Sequence, residues 1–387
     1  MDVTHSLFAD KLVVSHTVTP KADGERLDAF LKRYYRKRSR EQIKRAIESG
    51  AVEVLRAGSH HSVGRLKPSS QLLSGDQIIV TSPRKPEPEV SFEYQVLFED
   101  DALLVIEKPG NLPVHPAGRF YFNTLLIHLR TAGFTRPMSA DREYYLVHRI
   151  DRETSGILVL AKDRAVATHL IRQFADRKTE KFYLAIVRGR PEHEEFVSEL
   201  PLGRTKDSPI KLKMGVISES EGGQSALTSF CTLKTTERPR GTFSLIACFP
   251  KTGRQHQIRV HLAEAGLPIV GDKLYSISDF HALTLFQPDD PARAKLNPLP
   301  EQFNDDFDTH VEVETEAYFS IPRQLTPEME SRLILPRHAL HAAGLRFQHP
   351  VTGKTLEFRS RLPQDLREFF GLQNSDPEVR WGVVPKS

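Results

Sequence analysis

The stretch "YLVHRIDRETSGILVLAKD", Tyr145 to Asp163, decides how the chain is read. Ile157 to Ala161 form a short unbroken apolar run, the pattern of a strand covered on both faces. The segment after it, "RAVATHLIRQFADRK", places Ala165, His169, Leu170 and Phe174 on one helical face. Just ahead of the strand, Arg149 and Arg152 bracket a single carboxylate, Asp151. A solvated turn has no need of that charge, and a buried strand is destabilised by it unless every charge has a partner. The edge of this strand is therefore the first place to look for chemistry.

Working outward, "VLFEDDALLVIEKPGNLPVHP" gives two apolar runs joined by a Glu-Asp-Asp turn and closed by a Pro/Gly-bounded loop. Downstream, "EKFYLAIVRG" is a strand with Tyr183 among apolar neighbours. Strands outnumber helices and do not alternate with them regularly. The expected class is α+β, with a mixed, mainly antiparallel sheet flanked by helices and loops.

Upstream, residues 24–82 form a small α/β unit of their own. "RLDAFLKRYY" sets Leu27, Phe30, Leu31 and Tyr34 at helical spacing. "SREQIKRAIESG" is a second helix with Ser39 as N-cap, Glu41 and Gln42 in its first turn and Gly50 at its end. "AVEVL" alternates as a strand does, and "LLSGDQIIVTSP" is a Gly-Asp turn leading into another. Residues 1–23 are read as a tail and the Pro-rich "PRKPEPEV" within 83–91 as a linker. A large second unit is expected over 92–372. An acidic, proline-punctuated insertion occupies 278–335 and a polar tail 373–387. "HVEVETE" in the insertion is read as a half-exposed strand and not as a metal site.

The chain has 387 residues, 39% hydrophobic and 27% charged, with a net charge of +4. So mild an excess means that any polyanion-binding surface comes from local clustering. The clustering is at the helix pair, where Arg36, Lys37, Arg40, Lys44 and Arg45 suit phosphates. A solvated helix face is the competing reading. Cys231 and Cys248 lack metal or disulfide spacing. No secretory signal or membrane span is evident, so a cytoplasmic protein is expected.

Asp151, Tyr183, and the group Arg254, His256, Gln257, Arg259 and His261 in "FPKTGRQHQIRVHLAEAG" are individually undiagnostic. Together they resemble one family. "HRIDRETSGILVLAKD", "EKFYLAIVRG", "TGRQHQIRVHL", "GDKLY" and "RHALHAAGLRFQHPVTGK" occur in the order found in RluA-type pseudouridine synthases. Ile150 stands where that family has Leu, and "GGQSALT" where many members have Gly-Lys-Ala. Residues 24–82 resemble the alpha-L, or S-four-type, RNA-binding module, with "VLRAGSHHSVGRLKPSS" replacing its usual Val-Asn-Gly turn.

The resemblance implies isomerisation of uridine in RNA, without metal or other cofactor. Asp151 would be the ionised nucleophile, Arg254 the cation beside it, and Tyr183 the ring that stacks on the flipped base. Attack on C1′, attack on the uracil ring and assisted elimination all stay open for Asp151. Arg149 would fill the space left by the flipped base or hold the phosphate beside it. Arg259 joins the RNA-binding residues, and Ile258 or another apolar side chain would cover the second ring face. Ribosomal RNA is the first expected partner and transfer RNA the second, with a monomer as the default state. Two rival readings are a noncatalytic RNA-binding or ribosome-assembly protein and a glycosidase using Asp151 with Glu153, carboxylates ~6.5 Å apart along a strand.

Overall fold

The structure is a computed structural model that describes residues 3–7, 11–36, 38–59, 61–83, 87–117, 120–131, 144–205, 208, 210, 212–277 and 333–372. Lys37, the insertion from 278 to 332 with its "HVEVETE" segment, and the tail after 372 lie outside the described residues. Contacts divide the rest into two units, one holding residues up to Pro88 with those in 115–131 and the other holding 89–114, 144–277 and 333–372.

The first unit is built as its helical periodicity dictates. Helix α1, Leu27–Tyr34, buries Leu27, Phe30 and Leu31. Helix α2, Arg40–Glu48, opens with a full capping box: Ser39 accepts from the Gln42 amide, and the Gln42 side chain returns to the Ser39 amide. Behind them is a four-stranded sheet ordered β1-β2-β4-β3, from Val3–Leu7, Lys11–Thr17, Gln77–Pro83 and Val52–Leu55.

Two expectations need correction here. Residues 1–23 are not simply a tail, because Lys11–Thr17 pairs antiparallel with β4 (Val14 opposite Val80) and Val3–Leu7 pairs with it in turn. Leu12, Val14 and His16 point inward at period two, so the strand buries a face that the helices alone would leave open. Nor is 83–91 all free linker. The Glu87 carboxylate accepts from the amides of Tyr121, Phe122 and Asn123 at 2.8–3.0 Å. These amides precede helix α3, Leu125–Arg130, which is capped by Thr124.

The second unit is one ten-stranded sheet. Its strands are β5 Gln95–Glu99, β6 Leu103–Lys108, β7 Tyr145–Leu146, β8 Ser155–Ala161 and β9 Glu180–Arg188. There follow β10 Glu195–Ser198, β13 Thr228–Arg238, β14 Gly241–Pro250, β15 Leu340–Gln348 and β16 Thr355–Arg359. The short strands β11, Leu202–Arg204, and β12, Met214–Val216, pair with each other apart from it. The order is β10-β13-β14-β9-β15-β8-β6-β5, with β16 on β15 and β7 on β8. Only β15 and β8 run parallel among the described pairs, so the mainly antiparallel α+β expectation holds.

Strand β8 is buried at all seven positions, as its apolar run requires. Gly156 within it has φ 112°, and a Cβ there would lie 2.2 Å from the Ala342 carbonyl oxygen. Only glycine lets β15 come so close. Helix α4, Arg164–Ala175, follows at once, capped by Asp163 on the Ala165 and Val166 amides. Helices α5, Gln257–Glu264, and α6, Gln364–Phe370, complete the unit, with Leu262, Leu366 and Phe370 in one core with β9 and β14.

Candidate active site

Asp151 sits in the turn that feeds β8, whose Thr154 amide donates to the Asp151 carbonyl at 3.1 Å. Its side chain is 20% exposed. It lines a cavity of about 480 Å³ together with Tyr183 from β9, Ile258 and Arg259 from α5, and Arg254 from the turn before α5. Arg149 and Ile150, just ahead of Asp151 in the chain, line it as well. The sequence-predicted catalytic residues thus share one cavity.

The cation on Asp151 is Arg259, not Arg254. Arg259 Nη1 donates to Asp151 Oδ2 at 2.8 Å. The same guanidinium forks onto Asp272, with Nε to Oδ2 at 2.7 Å and Nη2 to Oδ1 at 2.9 Å. Asp272 is fully buried and also accepts from the amides of Leu274 and Tyr275. Arg259 is therefore held by a fixed, bidentate partner while one nitrogen reaches Asp151. Arg254 cannot take this place, because it precedes the helix and its Nε is bonded to the Ser225 carbonyl at 3.0 Å. The Gln257 side chain fixes that turn, accepting from Thr252 and from the Arg254 amide and donating to Leu227 and Thr228.

Burial opposes ionisation of Asp151, but His256, which carries charge only in the acid range, and the permanently charged Arg259 outweigh it and hold the carboxyl well below its ordinary range. His256 Nδ1 is hydrogen-bonded to the Tyr275 hydroxyl at 2.8 Å. Its own pKa is pushed down to about 3, chiefly by burial and then by Arg259. At neutral pH His256 is uncharged, and the cation that acts is Arg259. The Tyr183 phenol is pushed up by burial and then by the Asp151 charge, so it keeps its proton at neutral pH.

Glu153, the second carboxylate of the turn, faces elsewhere. It accepts from Lys273 at 2.5 Å, from Arg152 at 3.0 Å and from the His338 amide at 3.1 Å. A separate small cavity of about 40 Å³ lies beside it, touched also by Asp151 and Arg259. Fully committed to structure and absent from the large cavity's wall, Glu153 cannot serve as a paired acid for glycoside hydrolysis.

Two supports went unassigned in the sequence. Lys108 ends β6 fully buried, its ammonium donating to the carbonyls of Pro109, Leu112 and Arg152 at 2.8–3.0 Å. It ties the Pro/Gly loop to the residue after Asp151. Its signal was parity: Leu104, Ile106 and Lys108 share one face of a buried strand. Asp272 lies within the quoted "GDKLY", but nothing local marks it as the anchor of Arg259.

On the first unit, Arg36, Arg40, Lys44 and Arg45 are exposed, and Arg45 reaches Glu41 at 3.3 Å along α2. Lys32, by contrast, is spent on the carbonyls of Arg36 and Arg38.

The profile of the family described as RNA pseudouridylate synthase matches residues 102–264. A ribosomal large subunit pseudouridine synthase D of Zymomonas mobilis is 32% identical over 92% of this chain and 96% of its own length. A synthase C of Pasteurella multocida is 30% identical over 92% of each chain. An uncharacterised RNA pseudouridine synthase of Aquifex aeolicus is 35% identical over 68% of this chain and 81% of its own. A solved human protein, RNA pseudouridylate synthase domain containing 4, covers 70% of this chain and 90% of its own, at 26% identity and a TM-score of 0.46. An ionised aspartate beside a protonated phenol, together with relatives that match nearly end to end, leaves one assignment: the chain belongs to the RluA-type RNA pseudouridine synthases and is an isomerase acting on RNA.

Proposed function

We propose that this isomerase converts uridine to pseudouridine in large-subunit ribosomal RNA, with Asp151 as its reacting carboxylate. The observation that carries the residue roles is the Arg259 to Asp151 hydrogen bond at 2.8 Å inside the cavity that Tyr183 lines. The RNA assignment is supported by full-length relatives whose names specify the ribosomal large subunit. Transfer RNA is the alternative target.

A stacked uridine cannot reach Asp151, so it is flipped out at a cost of a few kcal/mol. In the cavity Tyr183 covers one face of the ring, and Ile258, buried in the same wall, the other. The C1′–N1 bond breaks, the uracil turns, and C1′ bonds to C5. The proton that leaves C5 is matched by one gained at N1, so nothing is oxidised and no group is lost. Asp151 is ionised and poised for the step that frees the base. While it carries charge, it holds the Tyr183 proton in place. Once that charge is consumed in a bond, the opposition to a phenolate weakens and Tyr183 can assist removal of the C5 proton. On the first unit, Arg36, Arg40, Lys44 and Arg45 take backbone phosphates.

The test is to map pseudouridines in ribosomal and transfer RNA from cells with and without the gene. Positions lost only from large-subunit ribosomal RNA support the proposal. Losses confined to transfer RNA overturn the choice of target.

A further inference from the structure

One part of the cavity wall is unexplained by the chemistry at Asp151. Lys181 and Tyr183 lie two apart on β9, so they share a face of the strand. Both line the cavity, as does Arg254. The Lys181 ammonium is held against the turn that carries Arg254: a Cβ added to Gly253 would stand 3.2 Å from its Nζ. Among the described residues, Lys181 has no hydrogen-bond acceptor and no carboxylate partner. Arg254 is anchored by its Nε on the Ser225 carbonyl, which leaves the two terminal nitrogens of the fork unengaged among those residues. Among the described residues, the only acid in the cavity lining is Asp151, which Arg259 already occupies.

Two like charges packed together without an anion are unfavourable, more so when partly dry. Burial, and then the Arg254 charge, push the Lys181 pKa down to about 8. A fold that tolerates this pair in the wall of its active cavity holds a place for a negative charge. The Arg254 fork suits two oxygens of a tetrahedral anion, and Lys181 supplies a point charge beside it.

We propose that Lys181 and Arg254 form a phosphate subsite that grips the RNA backbone next to the flipped uridine, setting the nucleotide against Asp151 and Tyr183. This rests on the reading of the cavity as the uridine site. It makes Arg254 a substrate-positioning residue and not the partner of the carboxylate. Binding a phosphodiester would also relieve the repulsion within the pair, so the grip tightens only when substrate is present.

The groups around Lys181 define its pH dependence. They are Arg254 on the turn; His148, kept neutral with a pKa near 3 mainly by burial; Tyr183 on its own strand; and Arg149, Arg177 and Lys251 in the lining. Tyr183 stays protonated well past pH 9 and does not add a limb in this range.

The experiment follows tritium release by the full-length protein from C5-tritiated total RNA, prepared in cells lacking the gene, between pH 6 and 9. Because kcat/KM reports the free enzyme, the wild-type value should fall through a midpoint near pH 8, as Lys181 loses its proton. Lys181→Gln should lower kcat/KM at least tenfold at pH 7, mostly through KM, and abolish the limb. Lys181→Arg should hold kcat/KM within threefold and carry the limb beyond pH 9. Arg254→Gln should weaken binding and move the midpoint upward, because a repelling charge is gone. Added inorganic phosphate should compete in the wild type and far less in Lys181→Gln. The thermal midpoint of Lys181→Gln should hold or rise, since an uncompensated charge is removed. Release from the wild type with kcat/KM unaltered in Lys181→Gln, or with a limb near pH 8 surviving it, overturns the subsite alone. No release from the wild type overturns the uridine reading and the subsite with it.

Discussion

At the residue scale the site works by keeping one carboxylate charged in a place that discourages charge. Arg259 does this, and Asp272 keeps Arg259 in position. Asp151→Asn preserves shape but removes the charge proposed to react. Tritium release should fall by at least about a thousandfold, while RNA affinity in a filter-binding assay stays within a few fold. Activity that survives this substitution would take Asp151 out of the mechanism. Arg259→Met should do two things at once. It strands Asp272 and Asp151 without their cation, which costs ~3–5 kcal/mol for a broken buried pair, read as a lowered denaturation midpoint. In any protein that still folds, the acid limb of the pH–rate profile should move upward, because burial alone raises a carboxyl pKa.

At the element scale the sequence signals differed in reach. Helix α2 announced itself through Ser39, Gln42 and Gly50, and the capping box is formed as written. Ser39→Ala should cost ~1 kcal/mol in the first unit, measured by hydrogen exchange of the α2 amides. Strand β2 was legible in principle, since Leu12, Val14 and His16 alternate inward. It was missed because a β1–β2 pair alone has nothing to bury; pairing with β4 gives the strand an inward face. Removing residues 1–17 should therefore unfold the first unit and not merely shorten it. The measurement is loss of RNA binding together with loss of amide protection in α1 and α2. Full protection in the truncated protein would count against the strand's role.

At the scale of the whole molecule, charge sets two dependences. Charge reversal at Arg40 and Lys44 should weaken RNA binding across sequences. It should also flatten the log–log salt slope by ~0.7–0.9 for each phosphate that is no longer neutralised; an unchanged slope returns α2 to a solvated face. Stability should fall on the acid side in two stages. His256, His338 and His341 have folded pKa values near 3–4, mainly through burial, so their contribution is full above the ordinary histidine value and declines as pH drops below ~6.5. Asp151, Glu153 and Asp272 are all held below the carboxylate range. What they contribute is present above ~4–4.5 and lost as pH falls further. Thermal melts from pH 7 to pH 3 should show the decline beginning near 6.5.

The sequence by itself determined most of the elements and singled out Asp151 as the candidate reacting group. Apolar runs, helical spacing and caps are local, and the mixture of Asp151, Tyr183 and the arginine-rich helix entrance pointed to one site. Only the tertiary structure decided which arginine meets the carboxylate. Arg254 and Arg259 are five apart across a helix start, and spacing cannot tell which one the turn aims inward. Asp272, Ser225 and Gln257, brought in from separate segments, settle that choice, because a guanidinium goes where buried acceptors hold it.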